Sequence, residues 1–408
     1  PIPNPLTPES PMDLPLALII LATTLAASLT LTPLVRRWAI SREWVDEPGE
    51  ARRVHRVPVP RLGGLAMYAA FAVGVLLTFV FPSIRAGKTG NELFEASRVL
   101  LLLLGAGIIT AVMAVDDVRK LQPVPRLLWQ AAVALLMVLP SVFIPGGANP
   151  PTPQDPLGDP PGTIHYDQGA GVLATTIQNP FSPPGDLSPY FEFPLLLAAL
   201  LTIFWLVGTT NAINWIDGLD GLAASVSAVA AAAMFVVTGP VLNQWSLAYL
   251  PLILLASVLG FLPYNLHPAR IFMGDSGAMF LGFTLAVLSV IGGAKLAAAL
   301  LVLGIPLLDG AYMIVYRLYR GRSPLASDRG HLHHRLFDIG FSQGQVVTIY
   351  LALCGAFGIV GVLPIPRIVK LGGLVLLVLV LLALFIYIAR RQFDIGRKQK
   401  SEYVIRDT

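Results

Sequence analysis

The chain has 408 residues, 55% of them hydrophobic and 13% charged, with a formal net charge of +4. Soluble domains carry about 25% charged residues, so the composition excludes an ordinary soluble globule, and nothing in it suggests a nucleic-acid partner. The single cysteine, Cys354, lies in an apolar run and excludes an intrachain disulfide framework.

A bilayer core takes about 20 apolar residues per helix. Eleven runs meet that need: 14–34, 62–81, 98–115, 125–144, 193–210, 218–238, 246–264, 272–292, 295–316, 345–365 and 369–389. Pro and Gly punctuate most gaps between them. The first run is long and follows a Pro-rich start without Lys or Arg, so no removable leader is expected. The expected architecture is therefore all-α: one polytopic domain over 1–408 with about eleven spans. The loop charges orient it. Assigning alternate gaps to the cytoplasm places 22 of the 28 Lys and Arg there. The N-terminus is then outside and the C-terminus cytoplasmic, with a basic tail over about 390–408. Residues 145–192 hold no Lys or Arg and are rich in Pro, Gly and Asp. They read as an exported irregular loop with room for a short hairpin.

On this topology the unusual polar groups gather at one membrane face. The first cytoplasmic gap, "ARRVHRVPVPRLGG", supplies Arg52, Arg53, His55, Arg56 and Arg61 ahead of a Gly-Gly helix start. Arg forks match phosphate oxygens, and helix N-terminal amides favour anions; plain positive-inside charge would leave the same trace. Asp116 and Asp117 close the third run. Side by side on a helix they point about 100° apart, and such a pair repels unless a cation or proton relieves it. "NAINWIDGLDGL" joins the fifth and sixth runs. Its Asn211, Asn214, Asp217 and Asp220 recur every third residue and share one face if wound as a helix. A helix cap needs one carboxylate, not a stripe of four polar groups. "YNLHPARIFMGDSG" adds Asn265, His267, Arg270 and Asp275. "SDRGHLHHRL" adds His331, His333 and His334 beside five Arg.

Ionisable groups at membrane depth are costly and mark function by default. Oxygen-rich carboxylates with open positions suit Mg²⁺ or Mn²⁺. The His tract has zinc-like composition, but its Arg neighbours favour phosphate contacts. A cation with anion-binding loops beside lipid points to phosphoryl chemistry between a cytosolic nucleotide and a lipid phosphate. A secondary transporter is the rival class. Its polar groups belong near the bilayer midplane between internal repeats, and no repeat is visible.

In this order, "HRVPVPRLGG", "DD", "NAINWIDGLDGLA", "FMGDSG" and "DRGHLHHRL" resemble the motifs of the polyprenyl-phosphate N-acetylhexosamine-1-phosphate transferases, a glycosyltransferase family 4 group. The likeness spans about residues 46–340. The form "HLHHRL" is similar to the GlcNAc-1-phosphate branch (WecA- and TagO-like) rather than to the muramyl-pentapeptide (MraY-like) branch. The resemblance implies transfer of an N-acetylhexosamine-1-phosphate from a UDP-sugar to undecaprenyl phosphate at the cytoplasmic face of the plasma membrane, with release of UMP. It also implies Mg²⁺ and a homodimer. Asp275 and Asp217 would face the metal. Asp116 would deprotonate or orient the lipid phosphate, with Asp117 supporting it or the metal. Asn211, Asn214, Asp220 and Asn265 would line the nucleotide and metal site, and Phe272 would stack on uracil. His331, His333 and His334 would bind the diphosphate or sugar, and Arg61 and Arg56 phosphate. Arg126 stands where the family often has Lys, exchanging a point charge for a planar fork.

Overall fold

The computed structural model describes residues 12–46, 58–81, 92–144, 148–149, 165–166, 170–181, 190–291, 296–324 and 329–406. The apolar runs fold as helices: α1 (Leu14–Ser41), α2 (Gly63–Val80), α3 (Glu92–Arg119), α4 (Pro123–Phe143), α5 (Leu195–Ile216), α6 (Leu222–Val236), α7 (Trp245–Asn265), α8 (Gly274–Val290), α9 (Leu296–Val302), α10 (Gly304–Tyr319), α11 (Leu332–Asp338), α12 (Gln343–Val362) and α13 (Arg367–Arg406). The starts follow local chemistry. Asp13 Oδ1 accepts from the Leu16 amide at 3.2 Å to cap α1. Pro123 opens α4, where its missing N–H costs nothing. Ser342 and Gln345 form a reciprocal capping box on α12.

Each of the eleven expected runs coincides with helix. Among the described residues nine helices are long and apolar enough to cross a bilayer. The chain is an all-α, multi-pass membrane protein. Two expected spans differ. The eighth is α8, only 17 residues long. The ninth is broken into α9 and α10, which meet at 73°. Large apolar side chains on outer helices face outward, among them Phe204 at 75% and Leu196 at 73% exposure, as suits helices that face hydrocarbon.

The core forms around α8, whose side chains are buried from Ser276 to Val290. It packs between α2, α3 and α5, with α1 and α7 closing one side and α12 against α6 on another. Small residues let backbones meet: a Cβ on Gly64 would lie 2.5 Å from the Gly277 Cα. Buried hydroxyls bond across helices, Ser28 Oγ to the Ser257 carbonyl at 2.6 Å and Ser257 Oγ to that of Met67 at 2.7 Å.

Among the described residues strands form three two-stranded antiparallel pairs: β1 (Val45–Asp46) with β2 (Val59–Pro60), β3 (Ala148–Asn149) with β4 (His165–Tyr166), and β5 (Thr176–Gln178) with β6 (Tyr190–Glu192). The last two lie within 145–192, where a short hairpin was expected. The first places Pro60 and the start of α2 beside the "FMGD" loop. There the Phe272 amide donates to the Pro60 carbonyl at 2.9 Å, and Gly63 and Gly64 donate back to Phe272 and Met273 at 3.0 and 2.9 Å.

Candidate functional site

The acidic pair comes from the end of α3. The helix runs past the expected exit at 115 to Arg119, so Asp116 and Asp117 sit on its last turn and diverge. Asp117 turns to α8. Its oxygens accept from the Asp275 amide at 2.8 Å, the Ser276 amide at 3.1 Å and Ser276 Oγ at 2.7 Å. A carboxylate on another helix thus satisfies the free donors at the α8 N-terminus and complements its dipole. The approach requires glycine next door. Gly274 has φ +70°, and a Cβ there would lie 2.7 Å from Asp117 Cγ.

Asp116 turns the other way. It accepts from the Leu121 amide at 2.5 Å and from Arg126 Nη1 at 3.1 Å. The same Nη1 lies 2.6 Å from Asp275 Oδ2, and Asn214 Nδ2 donates to Asp275 Oδ1 at 3.0 Å. Asp116, Arg126, Asp275 and Asn214 therefore form one chain across α3, α4, α8 and α5. The Asp275 carboxylate is 31% exposed and Arg126 28%, so this chain opens to a ligand.

The "NAINWIDGLDGL" stripe does not stay on one face. The helix α5 ends at Ile216, and Gly221 at φ +75° starts α6, so the four polar residues part. Asn211 lies one turn below Asn214 and donates to Gln130 Oε1 at 2.5 Å. Asp217 caps the end of α5, half-buried, and among the described residues no hydrogen bond or ion pair holds its carboxylate. Burial, and then the charge of Asp275, push its carboxyl up to about 8, with Arg61 pulling the other way. Asp220 points away toward the α7–α8 loop, accepting from the Ala269 amide at 3.1 Å and pairing with His267 Nδ1 at 2.7 Å. Asn265, at the end of α7, holds that loop through the Ile271 carbonyl at 3.1 Å, and its buried Oδ1 has no partner among the described residues.

The histidines approach from the opposite side. A Cβ on Gly218 would run into the His333 ring and lie 3.1 Å from His334 Cε1, so Gly218 is the gap through which α11 meets the α5–α6 turn. The His333 and His334 ring centroids are 4.1 Å apart. Burial, then the neighbouring His334 and His331, hold His333 well below its usual range, so it is a neutral imidazole. Both its ring nitrogens are buried without a partner among the described residues. His331 is engaged differently, by Asp309 at 2.9 Å. Arg61 pairs with Asp46 at 2.9 Å and lies within electrostatic reach of Asp117 and Asp275. Phe272 holds the β2 edge through its backbone. Arg56 lies outside the described residues.

Among the described residues no three His, Cys, Asp or Glu side chains close on a single point. The donors that do converge, Asp275 with Asp217 beside it and Asn214 behind, are hard oxygens. One of them, Asp217, is a half-buried carboxylate that no hydrogen bond or ion pair holds among the described residues. That donor set fits a Mg²⁺-like ion, which takes one or two carboxylates and completes its shell with water and substrate phosphate.

Three participants were not singled out from the sequence. Gln130, a lone amide one turn after Arg126, underlies Asn211 and donates to Met279 Sδ at 3.3 Å. Asp309 and Arg317 flank His331. An ionisable residue inside the apolar run 295–316 was itself the available signal for Asp309.

Known proteins resemble this chain in sequence. A family model described as "Glycosyl transferase family 4" matches residues 99–293, the stretch that supplies Asp116, Asp117, Arg126, Asn214, Asp217 and Asp275. A Bacillus subtilis protein named probable undecaprenyl-phosphate N-acetylglucosaminyl 1-phosphate transferase is 30% identical over 338 residues, covering 80% of this chain and 79% of its own. The chain belongs to glycosyl transferase family 4. Within the family, a Mycobacterium leprae decaprenyl-phosphate N-acetylglucosaminephosphotransferase is 32% identical, over 86% of this chain and 85% of its own. A Staphylococcus aureus phospho-N-acetylmuramoyl-pentapeptide-transferase is 24% identical, over 85% of this chain and 97% of its own.

Proposed function

We propose that this protein transfers GlcNAc-1-phosphate from UDP-GlcNAc to a polyprenyl phosphate, undecaprenyl phosphate, releasing UMP. The work is done at the cytoplasmic face of the plasma membrane, as the first step of a cell-surface glycan. The observation that carries the reading is the convergence of Asp116, Arg126, Asp275 and Asn214 from four helices, with Asp217 and His333 unpartnered beside them. The names of the family members at 30% and 32% identity support the sugar and the acceptor. The pentapeptide-transferring relative is further away at 24%.

The reaction joins two anions, so their repulsion is the main obstacle. A lipid phosphate oxygen attacks the β-phosphorus of the UDP-sugar, and the bond to the UMP oxygen breaks. Arg126, poised between Asp116 and Asp275, orients the incoming phosphate, and Asp116 takes its proton. Neutral His333 and its neighbour His334 receive the diphosphate. Phe272 stacks on uracil, with Arg61 on phosphate; Asp220 and Asn265 shape the nucleotide loop. A divalent cation, Mg²⁺, held by Asp275 and Asp217 would offset charge on the leaving phosphate. The bonding of Asp117 favours direct attack over a phospho-aspartate there, because a nucleophilic Asp117 would have to abandon the α8 amides.

The test uses purified protein in detergent with undecaprenyl phosphate, Mg²⁺ and a panel of UDP-sugars, reading UMP. Release from UDP-GlcNAc that is abolished by EDTA and by Asp275→Ala is expected. No UMP from any UDP-sugar, with folded protein and lipid present, would return the transporter class to the front.

A further inference from the structure

The phosphotransfer reading leaves unused a set of buried charged side chains behind the histidines. Asp309 on α10 is completely buried, Arg317 lies eight residues further along the same helix face and is 3% exposed, and His331 is 4% exposed. An unpaired charge at such depth is strongly destabilising, so their mutual contacts need an account.

Asp309 uses both oxygens. Oδ2 meets His331 Nδ1 at 2.9 Å, and Oδ1 accepts from the Leu332 amide at 3.0 Å at the start of α11. On the other side of the ring, His331 Nε2 lies 3.4 Å from Arg317 Nη2. A guanidinium only donates and a carboxylate only accepts. Nδ1 therefore carries the proton and Nε2 accepts. His331 is a link between a buried anion and a buried cation, with both ring nitrogens occupied. Its ring faces Trp215 of α5 at 5.9 Å on one side and His333 at 6.0 Å on the other.

We propose that Asp309 is a positioning residue that, through His331, holds the His333–His334 pair against the Gly218 turn, and that His331 itself contacts no phosphate. The inference rests on the transfer reading of that site. It divides the three histidines by role: one is a strut, and the others face the substrate. Family resemblance implied a phosphate or sugar contact for all three.

Two substitutions at His331 separate the roles. In His331→Asn the amide nitrogen takes the place of Nδ1, so the bond to Asp309 survives while Nε2 is lost. In His331→Gln the amide reaches the Nε2 position and the bond to Asp309 is lost. The expected result is that His331→Asn keeps kcat for UMP release within about tenfold of wild type, while His331→Gln loses about 100-fold, as a misplaced site does. The KM for UDP-GlcNAc should change little in either. Asp309→Asn, which forces the other tautomer, should fall by about 10- to 100-fold. It should add nothing to His331→Gln in the double variant. The opposite ranking, or equal loss in both His331 variants with active wild type, overturns the proposal. Wild type that releases no UMP counts against the transfer reading. The strut is then judged by thermal midpoints in detergent: His331→Asn near wild type and His331→Gln lower support it, and equal midpoints overturn it.

Discussion

Asp117 and Asp217 are carboxylates of one site in opposite circumstances. Asp117 has three donors, all from Asp275 and Ser276 at the head of α8. Asp217, at the end of α5, has none among the described residues, and its carboxyl is pushed up to about 8. One half of the candidate site is assembled by the fold, and the proposed function leaves the other for a ligand to complete. On the proposed function, stability resides in the satisfied carboxylate and binding in the unsatisfied one, because a buried polar group costs most where its partner is missing.

Four substitutions break or sharpen that contrast. The largest effect is expected at Asp275, which touches both halves: Asp275→Ala should lower kcat for UMP release by about 10³-fold, with folding preserved by size-exclusion profile. Next is Asp117→Ala, which should lose activity together with structure. Several buried donors are left unpaired at about 1–3 kcal/mol each, so a fall of many degrees in the thermal midpoint should accompany the inactive enzyme. An inactive Asp117→Ala of unchanged midpoint would instead argue for a role in the chemistry. Gly274→Ala should cost less, about 1–3 kcal/mol, because the Cβ crowds the Asp117 carboxylate at positive φ.

The last of the four is the one most specific to Asp217. Its ordinary value is 3.8 and its folded value about 8. Below the ordinary value both states are protonated and the group contributes nothing. As pH rises through the window between the two, the unfolded chain releases a proton that the folded one keeps. Stability therefore falls with pH, levelling off above about 8. Midpoints of metal-free protein from pH 5 to 8 should decline less in Asp217→Asn than in wild type. Parallel curves would contradict the assignment.

How much of this was legible in the sequence differs element by element. The helices were, because apolar runs of bilayer length leave little alternative. The helix ends were less so. The third run continues into "DDVR" and the fifth into "NAINWI", since polar residues extend a helix when another helix supplies their partners. That is why Asn214 and Asp116 lie within helices rather than in the gaps. The polar stripe at 211–220 was expected on one face. The backbone reversal at Gly218 and Gly221 sends Asp217 to the site and Asp220 to the next loop. The candidate site residues stood out as chemistry crowded into four gaps. Which carboxylate braces and which one waits was not, because it depends on pairings such as Asp117 with Ser276 and Asp309 with His331, which no local pattern encodes.

The central claim is that a cation and a phosphate ligand complete the half of the site that the fold leaves open. The most direct measurement is the thermal midpoint of purified protein with Mg²⁺ and UMP added singly and together, in wild type, Asp217→Asn and Asp275→Ala. Wild type should be stabilised most by the two together, and both variants should lose that joint shift. An equal joint shift in all three proteins, or none in wild type, would contradict the account.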